Sequence, residues 1–360
     1  MGSEILLIQL GFLLYEIGFA LDIWKQSIII KTIEHTFTGI IIYIFISYPF
    51  AMSNDVLFGV FGIPTTTIFS NDTDLIFVFN NALYAIMTLT IISGCVLERM
   101  KNKAYIVWCI LILGICYTFT SAWIWNKNGW LNRIGFTDNS GALVIHCVGG
   151  IAGLISVKKL GPRNNSVDKN GKLLRPKEPN NIILQLIGVF IVWFGWFEYI
   201  ASSQEISMLP HANMGVILGM SCSMITCLII QRLYIKISLN ILDIYNCSIM
   251  GLVSITALNK CPLWGICLIT MISAPIYYGF CYIVRYKLQI DDPLNKITIH
   301  LIGGIYSIIM EGIFSQNGLI YGNVSHFGIQ ILGCITVIIF NLLMQYLLWY
   351  FVSKVIFHNT

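Results

Sequence analysis

The chain has 360 residues, 57% of them hydrophobic and only 11% charged, with a mean hydropathy of +0.78. This excludes a soluble globular domain and leaves an all-α polytopic membrane protein, because the apolar runs reach the ~20 residues that a bilayer-spanning helix needs. The net charge of +4 says little about partners, since the placement of charge matters more than its sum.

Apolar runs between polar breaks predict about eleven spans, near 4–23, 27–52, 73–96, 103–124, 139–159, 181–202, 212–235, 238–257, 262–285, 297–317 and 327–354. The first run lacks a small-residue cleavage site, so no cleavable signal is expected. With the N-terminus outside, 18 of the 21 Lys and Arg residues fall in cytoplasmic loops, leaving Lys127, Arg133 and Lys260 outside. The positive-inside rule therefore predicts an outer N-terminus and a cytoplasmic C-terminus. The one long loop runs from Leu160 to Asn181. It divides a single domain into a first half-repeat (1–160), a cytoplasmic loop (161–181), a second half-repeat (182–318) and a final helix with a short tail (319–360). The eleven cysteines include no Cys-x-x-Cys, and most, such as Cys95, Cys116 and Cys222, lie inside apolar runs and read as small buried hydrophobes.

Two histidines stand in matching frames, IHCVGGI from Ile145 and IHLIGGI from Ile299. Each follows an aspartate by eight residues, Asp138 before His146 and Asp292 before His300. An imidazole in the hydrocarbon layer is costly and usually faces a partner or a polar pathway. The fifth span enters from outside and the tenth from inside, so both rings fall roughly 12 Å deep from opposite faces at 1.5 Å per residue. Two five-helix halves of opposite topology, an inverted 5+5 repeat plus one final helix, are the pattern of a transporter with its site near the midplane. The pairs Gly149-Gly150 and Gly303-Gly304 are expected to let the two helices approach closely enough for the rings to touch. Asp138 is expected to cap the fifth span through the Asn139 and Ser140 amides, and Asp292 to act likewise with Pro293 early in its helix. A metal site is disfavoured, because no Glu-x-x-His or His-x-x-x-His accompanies the pair.

With these residues in place, the chain resembles the ammonium transporter/methylammonium permease/Rhesus superfamily. The matching stretches are ISGCVLERM (92–100), Trp123 to Leu154, LGPR (160–163), FGWFEYIASS (194–203), IDDP (290–293) and Ile299 to Phe314. The resemblance implies eleven transmembrane helices in the plasma membrane, a homotrimer, and a separate narrow pore through each subunit. It implies no enzyme activity, no cofactor, no metal and no nucleic-acid partner. The implied cargo is ammonium or ammonia, with methylammonium or CO₂ as variants. Residue by residue, Trp125 resembles the vestibule tryptophan that holds the cation, and Ser203 the vestibule hydroxyl beside it. Asp138 resembles the structural acid near that vestibule, and Trp196 a pore-lining tryptophan. His146 and His300 resemble the twin histidines of the pore.

Where the family stacks two phenylalanines as a gate, Tyr84 and Tyr199 stand here; Glu198 and Ile200 replace the usual Gly and Asn. Only a few residues follow the last span, so control by a long cytosolic tail is not expected. On spacing alone, Trp125 also reads as an interfacial belt tryptophan, and the two tyrosines as helix-packing residues. A neutral histidine pair in an apolar pore would let the deprotonated base pass. The alternative is an ammonium sensor or low-flux paralogue whose pore is closed by the tyrosines. His35, His211, His326 and His358 read as bland residues at helix ends, in loops or in the tail. The sequons at Asn71 and Asn323 permit glycosylation.

Overall fold

The computed structural model describes residues 3–65, 67–70, 73–163, 166–174, 179–235 and 239–357, so Asn71, Asp72 and His358 lie outside the described residues. Long apolar runs give helices that are hydrophobic on every side, as expected when both lipid and neighbouring helices must be satisfied. Among the described residues, nine helices are long and apolar enough to cross a membrane. They are α2 (Asp22–Ala51), α3 (Leu75–Cys95), α4 (Asn102–Ile124), α5 (Ala142–Leu160), α6 (Ile182–Ala201), α7 (Ile206–Tyr234), α9 (Leu263–Lys287), α10 (Ile297–Tyr321) and α11, whose membrane-crossing part is Val324–Lys354. Two shorter helices complete the set, α1 (Leu6–Phe19) and α8 (Ile241–Val253).

Side-chain caps explain several boundaries. Asp74 accepts the Ile76 and Phe77 amides at the start of α3, Asn181 accepts Leu184 N–H for α6, and Asn240 accepts Leu242 and Asp243 N–H for α8. The break after α1 comes at Ala20 and Leu21, both extended. α7 starts earlier than the hydrophobic run predicts, because a 3₁₀ turn at Ile206–Met208 leads into it with Pro210 in its first turn. α8 ends at Val253, where the Ser254 and Thr256 hydroxyls fold back onto the Gly251 and Val253 carbonyls.

α1 lies flat against α6. A Cβ on Gly11 would come within 2.6 Å of the Gly188 carbonyl oxygen, and one on Gly188 within 2.5 Å of the Gly11 carbonyl oxygen, so the two backbones touch. The only paired strands among the described residues, Val56–Leu57 and Phe61–Gly62, make a small hairpin between α2 and α3.

At the face where α4 begins, three of the sequence motifs meet. Arg163 of LGPR donates from its backbone N–H and its guanidinium to the Asp291 carboxylate of IDDP at 2.9–3.2 Å, and also to Glu98 at 3.2 Å. Arg99 donates to the carbonyls of Gly161 and Asp291. Burial pushes the Asp291 carboxyl upward, but the hydrogen bonds and charge of Arg163 outweigh it and hold the group below its ordinary value.

His35 corrects its expected place at a helix end. α2 starts at Asp22, so His35 lies more than three turns inside it and is fully buried. Its Nδ1 meets Tyr105 Oη at 2.8 Å and its Nε2 meets Thr90 Oγ1 at 3.2 Å. His326 also leaves its expected loop: it is buried in the first turn of α11, 3.8 Å from Glu311.

Candidate functional site

The two histidine frames converge. Gly150 of α5 packs on Leu301 of α10, where a Cβ would fall 2.8 Å from the Leu301 amide nitrogen. Gly304 of α10 packs on the start of α5, where a Cβ would fall 2.4 Å from the Ala142 carbonyl oxygen. Gly149 and Gly303 face elsewhere, toward Thr88 of α3 and Met250 of α8. With α5 and α10 this close, His146 Nδ1 and His300 Nδ1 come to 3.1 Å, with ring centroids 5.1 Å apart. Both rings are buried. Both also lie in π-helical stretches, Ala142–Cys147 and Ile297–Ile302, a local unwinding that the sequence frames do not announce and that is frequent at functional sites.

On the face where α4 ends, Trp125, Tyr84, Asn139, Ser202 and Ser203 line a cavity of about 510 Å³ together with Asp74, Glu205 and neighbours. A second cavity of about 600 Å³ shares Trp125, Phe77 and Asp74 and has Lys127 on its wall. Trp125 is held by its indole N–H, which donates to the Asp138 carbonyl at 2.8 Å. Ser203 donates to the Ile200 carbonyl and exchanges a 2.6 Å hydrogen bond with Ser140. The Asp138 carboxylate accepts four amides, those of Gly141, Ala142, Leu143 and Val144. The cap therefore falls two to four residues later than expected, because Gly141 in the left-handed region (φ +86°) turns the chain before the helix begins. Burial pushes this carboxyl up to about 6 despite the four amides. At the opposite face Asp292 caps α10 through Ile297 N–H at 2.6 Å. Pro293 is in the turn before the helix, not in its first turn, because α10 begins four residues later.

Between cavity and histidines the aromatic rings form a continuous file. Trp125 and Tyr84 have centroids 6.0 Å apart, Tyr84 and Tyr199 5.3 Å at 75°, and Tyr199 and His146 6.2 Å at 87°. Trp196 lies parallel to His146 at 5.9 Å. Tyr84 Oη meets Ser202 Oγ at 2.5 Å, and Tyr199 donates its hydroxyl hydrogen to the Ser140 carbonyl. Since that hydrogen is committed, the 3.5 Å contact between Tyr199 Oη and His146 Nε2 takes its hydrogen from the imidazole. In the neutral pair His146 Nδ1 then accepts and His300 Nδ1 donates, which leaves a bare lone pair on His300 Nε2, an atom without a partner among the described residues. Ile200 turns away from the file and lines a separate small cavity with Gln204 and His211, while Glu198 is half-buried on α6. Among the described residues no three His, Cys, Asp or Glu side chains cluster to hold a metal ion.

The comparisons with known proteins point to one family. The family model described as Ammonium Transporter Family matches residues 2–357. The chain belongs to that family. Ammonium transporter 3 of Dictyostelium discoideum is 27% identical to this family member over 329 residues, covering 88% of this chain and 75% of the relative. A solved structure described as a sensor Amt protein superposes with a TM-score of 0.91 at 25% identity, covering 98% of this chain and 91% of that one. The crystal structure of Saccharomyces cerevisiae Mep2 superposes with a TM-score of 0.85 at 21% identity, covering 96% and 82%, and shares the fold. The ammonium transporter family member is thus a multi-pass integral membrane protein whose relatives are named as transporters, a non-enzymatic function.

Four contributors carry no signal in the sequence. Ser140 and Ser202 fix the tyrosines, yet a serine in a loop carries no distinguishing signal until its partner is known. Lys296 and Phe12, beyond His300, read in the sequence as a loop charge and one apolar residue of a span.

Proposed function

We propose that this protein conducts ammonium across the membrane, taking NH₄⁺ at Trp125 and Ser203 and passing NH₃ along His146 and His300. The observation that carries the reading is the 3.1 Å contact between the two imidazoles at the end of the ring file from Trp125. Trp125 supplies a cation–π face worth about 0.5–2 kcal/mol, depending on how far the cation is desolvated. Tyr84 and Tyr199 form the gate and exclude hydrated ions, Trp196 walls the pore, and Asp138 anchors the vestibule by holding the start of α5. Two neutral imidazoles in an apolar surround accept a neutral base and disfavour a cation.

The same reading takes α1 and α8 as two further spans, giving eleven, arranged as an inverted repeat. Support comes from matched contacts within the two halves, Gly149 of α5 against α3 and Gly303 of α10 against α8, and from the packing of the first helix of each half, α1 and α6, on each other. It takes the N-terminus as outer, the Arg163 face as cytoplasmic, the plasma membrane as location and a homotrimer as assembly.

The test is an ammonium pulse on proteoliposomes with internal pH recorded. Alkalinisation faster than in protein-free vesicles, reduced in His146→Ala, is the expected result; a response equal to empty vesicles overturns conduction. A second reading, a sensor with a closed pore, is favoured by the likeness to the sensor Amt protein and by the tightly packed tyrosine pair. Saturable ammonium binding without flux would select it.

A further inference from the structure

Beyond the histidines the ring file continues toward the Arg163 face and ends on a charge. Phe12 of α1 meets the edge of His300 with centroids 6.2 Å apart. Directly over the Phe12 ring, 3.3 Å from its centroid, is the ammonium nitrogen of Lys296. Lys296 is 1% exposed, among the largest fully buried side chains, and its Nζ has no hydrogen-bond partner among the described residues. It precedes His300 by four residues and so projects from the same side of the helix one turn nearer the Arg163 face. The buried Glu16 of α1 supplies the counter-charge. A Cβ on Gly94 would fall 2.9 Å from Lys296 Cε and 3.0 Å from Glu16 Oε1, so the two side chains converge on one glycine. The Glu16 carboxylate also accepts the Ser93 hydroxyl at 2.9 and 3.0 Å.

A buried lysine is expensive, and one kept without hydrogen bonds inside a membrane protein marks a functional position. Its head group is an alkylammonium, the same chemistry as the cargo. It occupies the face of the ring that meets the edge of His300, whose Nε2 is the one bare acceptor of the histidine pair.

We propose that Lys296 is a tethered ammonium that occupies the inner cation site of the path, limits ammonium flux by competing for it, and is held there by Glu16 and the Phe12 face. The proposal rests on the path running through His146 and His300. Cargo leaving His300 must take the place of Lys296 on Phe12. A resident positive charge also repels an entering cation at close range, while a neutral base meets only the steric part of the barrier.

The experiment compares ammonium-pulse flux in proteoliposomes for wild type, Lys296→Met, Lys296→Arg and the double variant Lys296→Met/His300→Ala. Methionine keeps the length and apolar packing and removes the charge. Flux in Lys296→Met is expected to rise about tenfold, the factor for losing one competing cation–π contact, while Lys296→Arg stays near wild type. The gain is expected to vanish in the double variant. A gain of flux cannot come from misfolding. Flux in wild type that Lys296→Met leaves unchanged or lowers overturns the tethered cation and spares the transport reading. Absence of flux in both overturns both. A gain that survives His300→Ala overturns the assignment of Lys296 to this path.

Discussion

The two ends of the ring file are built on opposite principles. At the Trp125 end, the polar groups that frame the ring file are mostly satisfied: Ser203 is bonded to Ile200 and Ser140, Tyr84 to Ser202, and Asp138 to four amides, while Asn80 Oδ1 on the cavity wall and Tyr117 Oη beside Trp125 lack partners among the described residues. At the Lys296 end, His300 Nε2, Lys296 Nζ and Asp292 Oδ1 all lack hydrogen-bond partners among the described residues. A satisfied end is a rigid funnel that can exchange water for cargo at little cost. An unsatisfied end holds groups waiting for a partner, and a solute able to donate and accept hydrogen bonds is such a partner. On the two proposals above, passage is checked twice, by the tyrosine gate near the first end and by Lys296 at the second, although the larger cavities are at the first.

The comparison can be broken outright by separating the helices on which both ends depend. Gly304→Val puts a branched side chain against the Ala142 backbone, which cannot give way. Loss of the folded, monodisperse peak in fluorescence-detected size-exclusion chromatography is expected, from overpacking of about 3 kcal/mol or more. The asymmetry between the two caps gives the next largest effect. Asp138→Ala frees four buried amides and Asp292→Ala frees the Ile297 amide, so Asp138→Ala should cost more stability by about 2 kcal/mol, read as the larger drop in melting temperature in detergent. At the satisfied end, Trp125→Ala should raise the half-saturating methylammonium concentration about tenfold, within the range of one cation–π contact, with little change in maximal flux. Gly94→Ala sharpens the other end. Its methyl would press on Lys296 Cε, the movable end of a side chain, and should raise flux in the same direction as Lys296→Met but less.

The smallest effect concerns acid. Because Arg163 holds Asp291 below its ordinary value, the Asp291 carboxylate contributes stability that is fully present above that ordinary value and is lost as pH falls through the lowered one. The advantage of wild type over Asp291→Asn in melting temperature should therefore be constant near neutrality and shrink only below about pH 4. An advantage that shrank already near neutral pH would mean that Arg163 does not hold this carboxyl down.

Much of this was legible because helices in a membrane advertise themselves. The apolar runs fall within a few residues of most helix limits, and the paired His and Gly frames pointed to two helices that do cross. The sequence hid what depends on partners distant in the chain. Asp138 was recognised as a cap but assigned the wrong amides, since the turn at Gly141 decides which N–H groups point back. His35 reads in the sequence as a helix-end residue, whereas Tyr105 and Thr90, 70 and 55 residues away, enclose it. Lys296 was hidden best. It was counted as a loop charge that fixes orientation, and only the fold carries it over Phe12 of the first helix.

The backbone contact of α5 with α10 has a consequence in time. Gly150 against Leu301 and Gly304 against Ala142 leave no slack for the two histidine helices to rock apart. If the protein conducts as proposed, passage is then timed by the swing of single side chains, events of picoseconds to nanoseconds when unhindered, and not by the microsecond-to-millisecond sliding of packed helices. On that reading it is a pore with a moving latch, and its turnover should be indifferent to the thickness and stiffness of the lipid around it.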